Sequence, residues 1–271
     1  MAVRLTFLGV RGSTCAPGAG FVRYGGHTSC VAVTAAGGTT PVLVLDAGTG
    51  LRSLTPMLGG AAFRGTIMVS HLHWDHVQGL PFFAAGDRPD AEVRLVLPAQ
   101  DGRSGYELLA QLMSPPGFPI TPDGLLGEWR LDVMEPGTEV VDGFGITAVD
   151  VEHKGGRTYG FVVEEAGRRV AYVPDHAPAV AVSDQLLAVL DGVEVLVHDA
   201  QFLEWERPRA RDYGHATVDD AVHLAERVGA GKVVLFHHSP ARGDDELDTM
   251  AAAVPTDLEV VTAHEGLELE V

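Results

Sequence analysis

Short apolar runs punctuated by glycine dominate this chain, and their spacing predicts many strands and few helices. Val3–Leu8, Cys30–Val33 and Pro41–Leu45 read as strands, separated by turns at Gly9–Gly12, Gly25–Gly26 and Gly37–Gly38. Thr66–Val69 reads as a buried strand that runs straight into a histidine cluster. Glu107–Met113 predicts a short helix, and the Pro- and Gly-rich stretch Ser114–Gly127 an irregular surface loop. In the second half, Phe144–Val151, Tyr159–Val163, Arg169–Val173, Val193–Val197 and Lys232–Phe236 read as strands, with a helix capped by Ser183 over Ser183–Leu190. The clearest helix starts at Thr217. Thr217-Val218-Asp219-Asp220 approximates a capping box, its acids sit where the helix dipole favours them, and Gly229 ends the helix. With no long linker, charge block or low-complexity tract, residues 1–271 are expected to form a single α/β domain. Strands followed by helices, in two similar halves, suggest an αββα sandwich of two packed sheets with helices outside.

Composition narrows the function. Apolar residues make up 46% of the chain, enough for a sizeable core. Lys and Arg total 19 against 37 Asp and Glu, a formal net charge of −18. Such a surface repels polyanions, because phosphate neutralisation supplies most non-specific affinity for nucleic acid. A small phosphorylated substrate can still be drawn to a locally positive metal centre. The two cysteines, Cys15 and Cys30, form no disulfide framework and fit a reducing compartment. Met1 to Val10 contains Arg4 and lacks the apolar stretch and cleavage site of a signal peptide. No apolar run reaches the roughly 18 residues of a membrane span, so a cytoplasmic protein is expected.

The densest chemistry is His71-Leu72-His73-Trp74-Asp75-His76, directly after a buried strand. Residues two apart in extended chain project on one side, so His71 and His73 can grip one ion. Asp75 and His76 fall where the chain turns and can reach a second. Imidazole with carboxylate and no thiolate suits Zn²⁺, Mn²⁺ or Fe²⁺ with open coordination positions, a catalytic arrangement. Two ions need further ligands, and His153, Asp175 and His237 each follow an apolar strand, where a sheet rim would gather them.

These features resemble the metallo-β-lactamase superfamily. His71–His76 is similar to its H-x-H-x-D-H motif. Leu45-Asp46-Ala47-Gly48-Thr49-Gly50 is similar to the upstream aspartate motif, whose acid orients the metal loop. The resemblance implies one ion held by His71, His73, His153 and Asp175, and another by Asp75, His76, Asp175 and His237. Within the superfamily, His198-Asp199-Ala200-Gln201-Phe202, Gly214-His215-Ala216-Thr217 and Leu235-Phe236-His237-His238-Ser239 resemble segments of the RNase Z-like branch. Gly9–Thr14 and Tyr24–Cys30 resemble bacterial cyclic phosphodiesterases, with His27 where asparagine is more usual. A basic tRNA-gripping arm is absent from the pattern, and Ser114–Gly127 holds no Lys or Arg. Together with the net charge, this makes tRNA or other nucleic acid a disfavoured partner. A small phosphodiester, cyclic or linear, is the expected substrate, with a homodimer allowed.

The implied chemistry is phosphodiester hydrolysis by a hydroxide bridging two divalent ions, most simply Zn²⁺. Asp75 would orient the hydroxide as well as bind metal, and His215, oriented by Asp199, would protonate the leaving oxygen. His198 reads as a support for its loop, His176 and His238 as rim or substrate contacts, and Arg157 as a loop arginine or phosphate contact. A lactone, ester or thioester hydrolase on the same site is the enzymatic alternative. A di-iron redox protein or a non-hydrolytic binder is the alternative of another class.

Overall fold

The computed structural model describes residues 2–252 and 254–271; Met1, where the N-terminal run begins, lies outside them. The first sheet is built from β1 (Arg4–Gly9), β2 (Cys30–Thr34), β3 (Leu43–Leu45), β4 (Arg64–Met68), β5 (Glu92–Pro98) and β6 (Glu128–Met134). The second holds β7 (Gly137–Val141), β8 (Phe144–Asp150), β9 (Tyr159–Glu165), β10 (Arg168–Val173), β11 (Val195–Asp199), β12 (Lys232–Phe236) and β13 (Glu259–Thr262). The last strand, β14 (Glu268–Glu270), returns to the first sheet beside β1. The spatial orders are β14-β1-β2-β3-β4-β5-β6 and β13-β12-β11-β10-β9-β8-β7.

The sheets face each other across a core that includes Phe7, Leu43, Met68, Phe144, Tyr172 and Phe236. Separate apolar layers, one around Leu54, Phe83 and Leu109 and one around Leu186, Val222 and Leu247, seat helices on the outer faces. The αββα sandwich therefore stands. β3, β4, β5 and β6 are parallel, as are β10, β11, β12 and β13. Parallel neighbours align their carboxyl ends, the rim where ligands of open α/β sheets collect. Here that rim carries the chemistry.

Local chemistry set most of the boundaries. Thr217 caps the helix Val218–Arg227 in a reciprocal capping box with Asp220, and Gly229 (φ 64°) follows its end. Ser183 caps Asp184–Leu190. The helix expected at Glu107–Met113 begins earlier, at Gly105, because Ser104 and Glu107 form a capping box of their own. β11 runs two residues later than expected, since its parallel pairing with β10 starts at Val195↔Val170, and this makes His198 and Asp199 part of the strand. β5, β6, β7, β13 and β14 were not foreseen, nor were the helices Arg207–Tyr213 and Asp244–Met250.

Candidate metal centre

Four of the expected ligands leave a single strand. After β4, His71 and His73 follow in extended chain, and His73 (φ −68°, ψ 150°) forms the N-cap of the one-turn helix Trp74–Val77. That turn buries Asp75 and His76 and leaves Trp74 outside. His153 follows β8, Asp175 follows β10 and His237 follows β12, all on one rim of the second sheet. The structure brings all seven side chains together.

Asp175 lies between two groups of imidazoles. Its Oδ2 is 3.6 Å from His71 Nε2 and 3.5 Å from His153 Nε2. Its Oδ1 is 3.1 Å from His76 Nε2 and 3.2 Å from His237 Nε2. Asp75 Oδ2 completes the second group, 3.3 Å from His76 Nε2 and 3.1 Å from His237 Nε2. One donor set is thus His71, His73, His153 and Asp175, its ligand atoms within 4.8 Å of one another, and the other is Asp75, His76 and His237.

The donor atoms fit divalent cations. His76 Nδ1 donates to Asp46 Oδ2 (2.7 Å) and His153 Nδ1 to the Gly214 carbonyl (2.5 Å), so each presents an Nε2 lone pair inward. Those lone pairs meet other ring nitrogens: His76 Nε2 lies 3.3 Å from His237 Nε2, and His153 Nε2 3.3 Å from His73 Nδ1. Buried His71 Nε2 and Asp175 Oδ1 have no hydrogen-bond partner. A cation between such groups satisfies all of them, where another protein group would leave some unpaired. Imidazole and carboxylate without thiolate is the ligand chemistry of Zn²⁺, Mn²⁺ or Fe²⁺.

Charge points the same way. Burial lowers the pKa of His71, His73 and His153, keeping them neutral, the form that ligates metal. Burial works against ionised Asp175, but His237, His76 and His71 hold it well below the usual carboxylate range. His76 is raised well above its ordinary value, because Asp175, Asp75 and Asp46 outweigh its burial. That negative field is what a divalent cation neutralises.

Asp46 works from behind. Fully buried, it accepts from Ser70 N (2.7 Å), Ser70 Oγ (2.9 Å), Tyr172 Oη (2.8 Å) and His76, and belongs to neither donor set. Asp46 (φ 61°), His237 (φ 56°) and Ser13 (φ 65°) all adopt left-handed backbone conformations. Strain of this kind costs on the order of 1–3 kcal/mol each and is held in place by its surroundings.

His215 sits beside both sets, its ring centroid 5.0 Å from His153 and 5.0 Å from His237. Its Nδ1 donates to Asp199 Oδ2 at 2.8 Å. Asp199 also accepts from the backbone N–H groups of His176, Gln201 and Ala216, so its carboxylate is fixed. Burial disfavours a charged His215, but the Asp199 carboxylate overcomes it and raises the pKa to about 8. Asp175, His215 and His237 make a third group with ligand spacing, although His215 Nδ1 is committed to Asp199. Gly214 (φ 84°) lets the chain reach His153: a Cβ there would lie 2.9 Å from Lys154 Cβ and 3.3 Å from His153 Nδ1.

The first loop, expected only as a turn, carries residues that contact the donor sets. Ser13 N donates to Asp75 Oδ2 (2.6 Å), and buried Gln201 donates through Nε2 to Ser13 Oγ (2.9 Å). A Cβ on Gly12 would stand 2.3 Å from the His237 ring, so only glycine lets this loop pass. The remaining histidines have plainer roles. His198 accepts from His176 Nδ1 (3.0 Å) and donates to the Asp199 carbonyl, supporting its loop. His238 is buried against Ala263 O, and His27 lies 3.2 Å from Thr49 Oγ1. Arg157 pairs with Glu135 and Asp150. Cys15 and Cys30 are free.

A family model described as a beta-lactamase superfamily domain matches residues 42–238. The chain belongs to the metallo-β-lactamase superfamily and is a metal-dependent hydrolase of that class. Among curated proteins it is 24% identical over 329 aligned residues to a ribonuclease Z from Haloarcula marismortui, covering 100% of this chain and 97% of that one. Among solved structures, the metallo-β-lactamase fold protein YhfI from Bacillus subtilis superposes with TM-score 0.76 at 19% identity, covering 99% of each chain. A diphosphatase from the PhnP family superposes with TM-score 0.70 at 21% identity, covering 99% of this chain and 98% of that one. At such identities the superpositions speak to the fold.

These relatives correct one expectation. Nucleic acid, tRNA included, was disfavoured on net charge and the lack of a basic arm, yet a relative spanning the whole chain is named ribonuclease Z. Net charge describes the far field, while a substrate is met by the local potential of the site. Among the described residues, no helix is long and apolar enough to cross a membrane.

Proposed function

We propose that this protein hydrolyses phosphodiesters at a binuclear centre, with one ion on His71, His73, His153 and Asp175 and the other on Asp75, His76, Asp175 and His237. Zn²⁺ suits these donors best, with Mn²⁺ and Fe²⁺ the other candidates. Bound there, two divalent cations would supply an activated water and stabilise charge on phosphoryl oxygens. The chain's own residues do the rest. Asp75, held by Ser13 N, orients the nucleophile from one side. His215, beside both donor sets, stores a proton and delivers it to the leaving oxygen, while Asp199 fixes the ring and keeps it protonated.

The observation that carries this reading is the His215–Asp199 pair beside two donor sets, a proton donor where a poor leaving group needs one. The whole-length ribonuclease Z relative supports a phosphodiester as the bond cleaved, and RNA belongs among the substrates to test. We further infer one domain over residues 1–271 and, from the free cysteines, a reducing and hence cytoplasmic setting. The test is turnover by metal-reconstituted enzyme of bis(p-nitrophenyl) phosphate, a cyclic nucleotide, a 3′-extended tRNA and a lactone, with His215→Ala in parallel. Turnover of the cyclic nucleotide or the tRNA, whose alcohol leaving groups need a proton, that collapses in the variant while the p-nitrophenyl ester is largely spared supports the proposal. Lactone turnover with inert phosphodiesters replaces it by an ester or lactone hydrolase on the same ligands.

A further inference from the structure

The ligand loop opens onto an aromatic wall that the proposed chemistry does not use. Trp74 stands between His73 and Asp75 in sequence, yet is 74% exposed. Phe82 is 67% exposed and meets Phe118 edge-on, with ring centroids 6.0 Å apart. These three rings, with Gln78 and Leu112, line a cavity of about 310 Å³. A second cavity, of about 440 Å³ and lined by Arg52 and His27, shares Thr49, Gln78 and Phe82 with the first. Large exposed aromatic rings grouped in this way mark binding surfaces, since isolated chains bury such area when they can.

The wall adjoins the ligand loop through the backbone. Gly48 packs on Asp75 so closely that a Cβ there would lie 2.2 Å from its carbonyl oxygen, and Thr49 follows it into the cavity. Ser13 binds the Asp75 carboxylate, and Cys15, two residues on, lines the second cavity. Polar groups stand ready at its edge. Gln78 is half-buried and its amide makes no hydrogen bond among the described residues. Arg52 is exposed and has no ion pair among them, in a chain of net charge −18.

We propose that this wall is a nucleobase subsite for the phosphodiester substrate. Trp74 and Phe82 stack on the base, the Gln78 amide pairs with its edge, and Arg52 faces a flanking phosphate. A base has a flat π-face that suits aromatic side chains whatever its identity. An amide presents both donor and acceptor to its edge, and a guanidinium matches a phosphate. An aliphatic ester has neither a flat π-face for the rings nor a phosphate for the guanidinium. The assignment rests on the phosphodiesterase reading and names its substrate class as nucleotidyl.

The experiment compares thymidine 5′-(p-nitrophenyl phosphate) with methyl p-nitrophenyl phosphate on metal-reconstituted enzyme. The wild type should prefer the thymidine ester, and Trp74→Ala or Phe82→Ala should lower that preference, as the ratio of kcat/KM values, by about 10- to 100-fold. Trp74→Phe should restore most of it. An unchanged ratio, with both esters falling together, would show that Trp74 only supports the ligand loop and would overturn the subsite. A parallel titration with adenosine 5′-monophosphate, read by tryptophan fluorescence, separates the two claims. Saturable quenching whose midpoint rises about 10-fold or more in Phe82→Ala, which keeps Trp74 as the reporter, keeps the subsite even if no phosphodiester is turned over. Quenching unchanged in that variant removes it.

Discussion

Asp46 Oδ2 lies 2.7 Å from His76 Nδ1 with both side chains fully buried, so a residue outside both donor sets decides which nitrogen of His76 faces them. The pair couples the first sheet's β3 loop to the ligand helix. It also fixes Ser70 and Tyr172 through the same carboxylate.

Asp46→Asn should therefore weaken metal binding without removing a ligand. Loss of such an outer carboxylate typically costs about 10–100-fold in affinity. Competition against a chromophoric chelator measures it. Asp46→Ala should additionally lower the denaturant midpoint, since each buried donor left without a partner costs about 1–3 kcal/mol.

His215→Ala should lower kcat on phosphodiesters with an alcohol leaving group by on the order of 10²–10⁴ while metal content stays at the wild-type level. The wild-type rate should also depend on pH. A general acid works in its protonated form, so kcat falls as pH rises through the His215 pKa, at or below about 8 once neighbouring cations add their charge. A pH–rate profile should show this alkaline limb in the wild type and not in the variant.

Gly12→Ala tests the close passage of the first loop over His237. The added methyl would meet the ring at 2.3 Å, so either the loop or the ligand must move. The expected outcome is a folded protein, judged by circular dichroism, with reduced affinity in the set of Asp75, His76 and His237.

Buried His238 predicts acid sensitivity. Burial, assisted by Arg11, depresses its pKa to about 3 despite its bond to Ala263 O. The unfolded chain binds this proton first, near the ordinary pKa of about 6.5, so stability is full above that value and declines as pH falls toward 3. The slope attributable to one such group is about 1.4 kcal/mol per pH unit. Urea melts at pH 7 and pH 5 should show less of this loss in His238→Gln than in the wild type.

Much of the site was legible because its residues follow strands. His71, His73, Asp75 and His76 come in one run, and His153, Asp175 and His237 each close an apolar segment whose neighbours in the sheet align their ends. Ser13, Gly12 and Gln201 were not legible, because their meaning lies in a loop folded across the molecule onto Asp75 and His237. The missed strands were mostly near sheet edges. β6 alternates charged and apolar residues, Glu128-Trp129-Arg130-Leu131-Asp132, a period-two pattern that was available but broken up by its proline- and glycine-rich approach. β14 has three residues and depends on pairing with β1 rather than on its own pattern. Nucleic acid was disfavoured because net charge and the want of a basic arm describe the surface away from the site, where the local potential acts.

In the proposed binuclear centre, Asp175 joins the two metal positions. Zinc titration of metal-stripped enzyme, with bound metal and bis(p-nitrophenyl) phosphate turnover followed together, tests it most directly. The expected result is two equivalents bound, turnover that appears with the second, and loss of that turnover in Asp175→Ala. Saturation of turnover at one equivalent, or full turnover in Asp175→Ala, would contradict it.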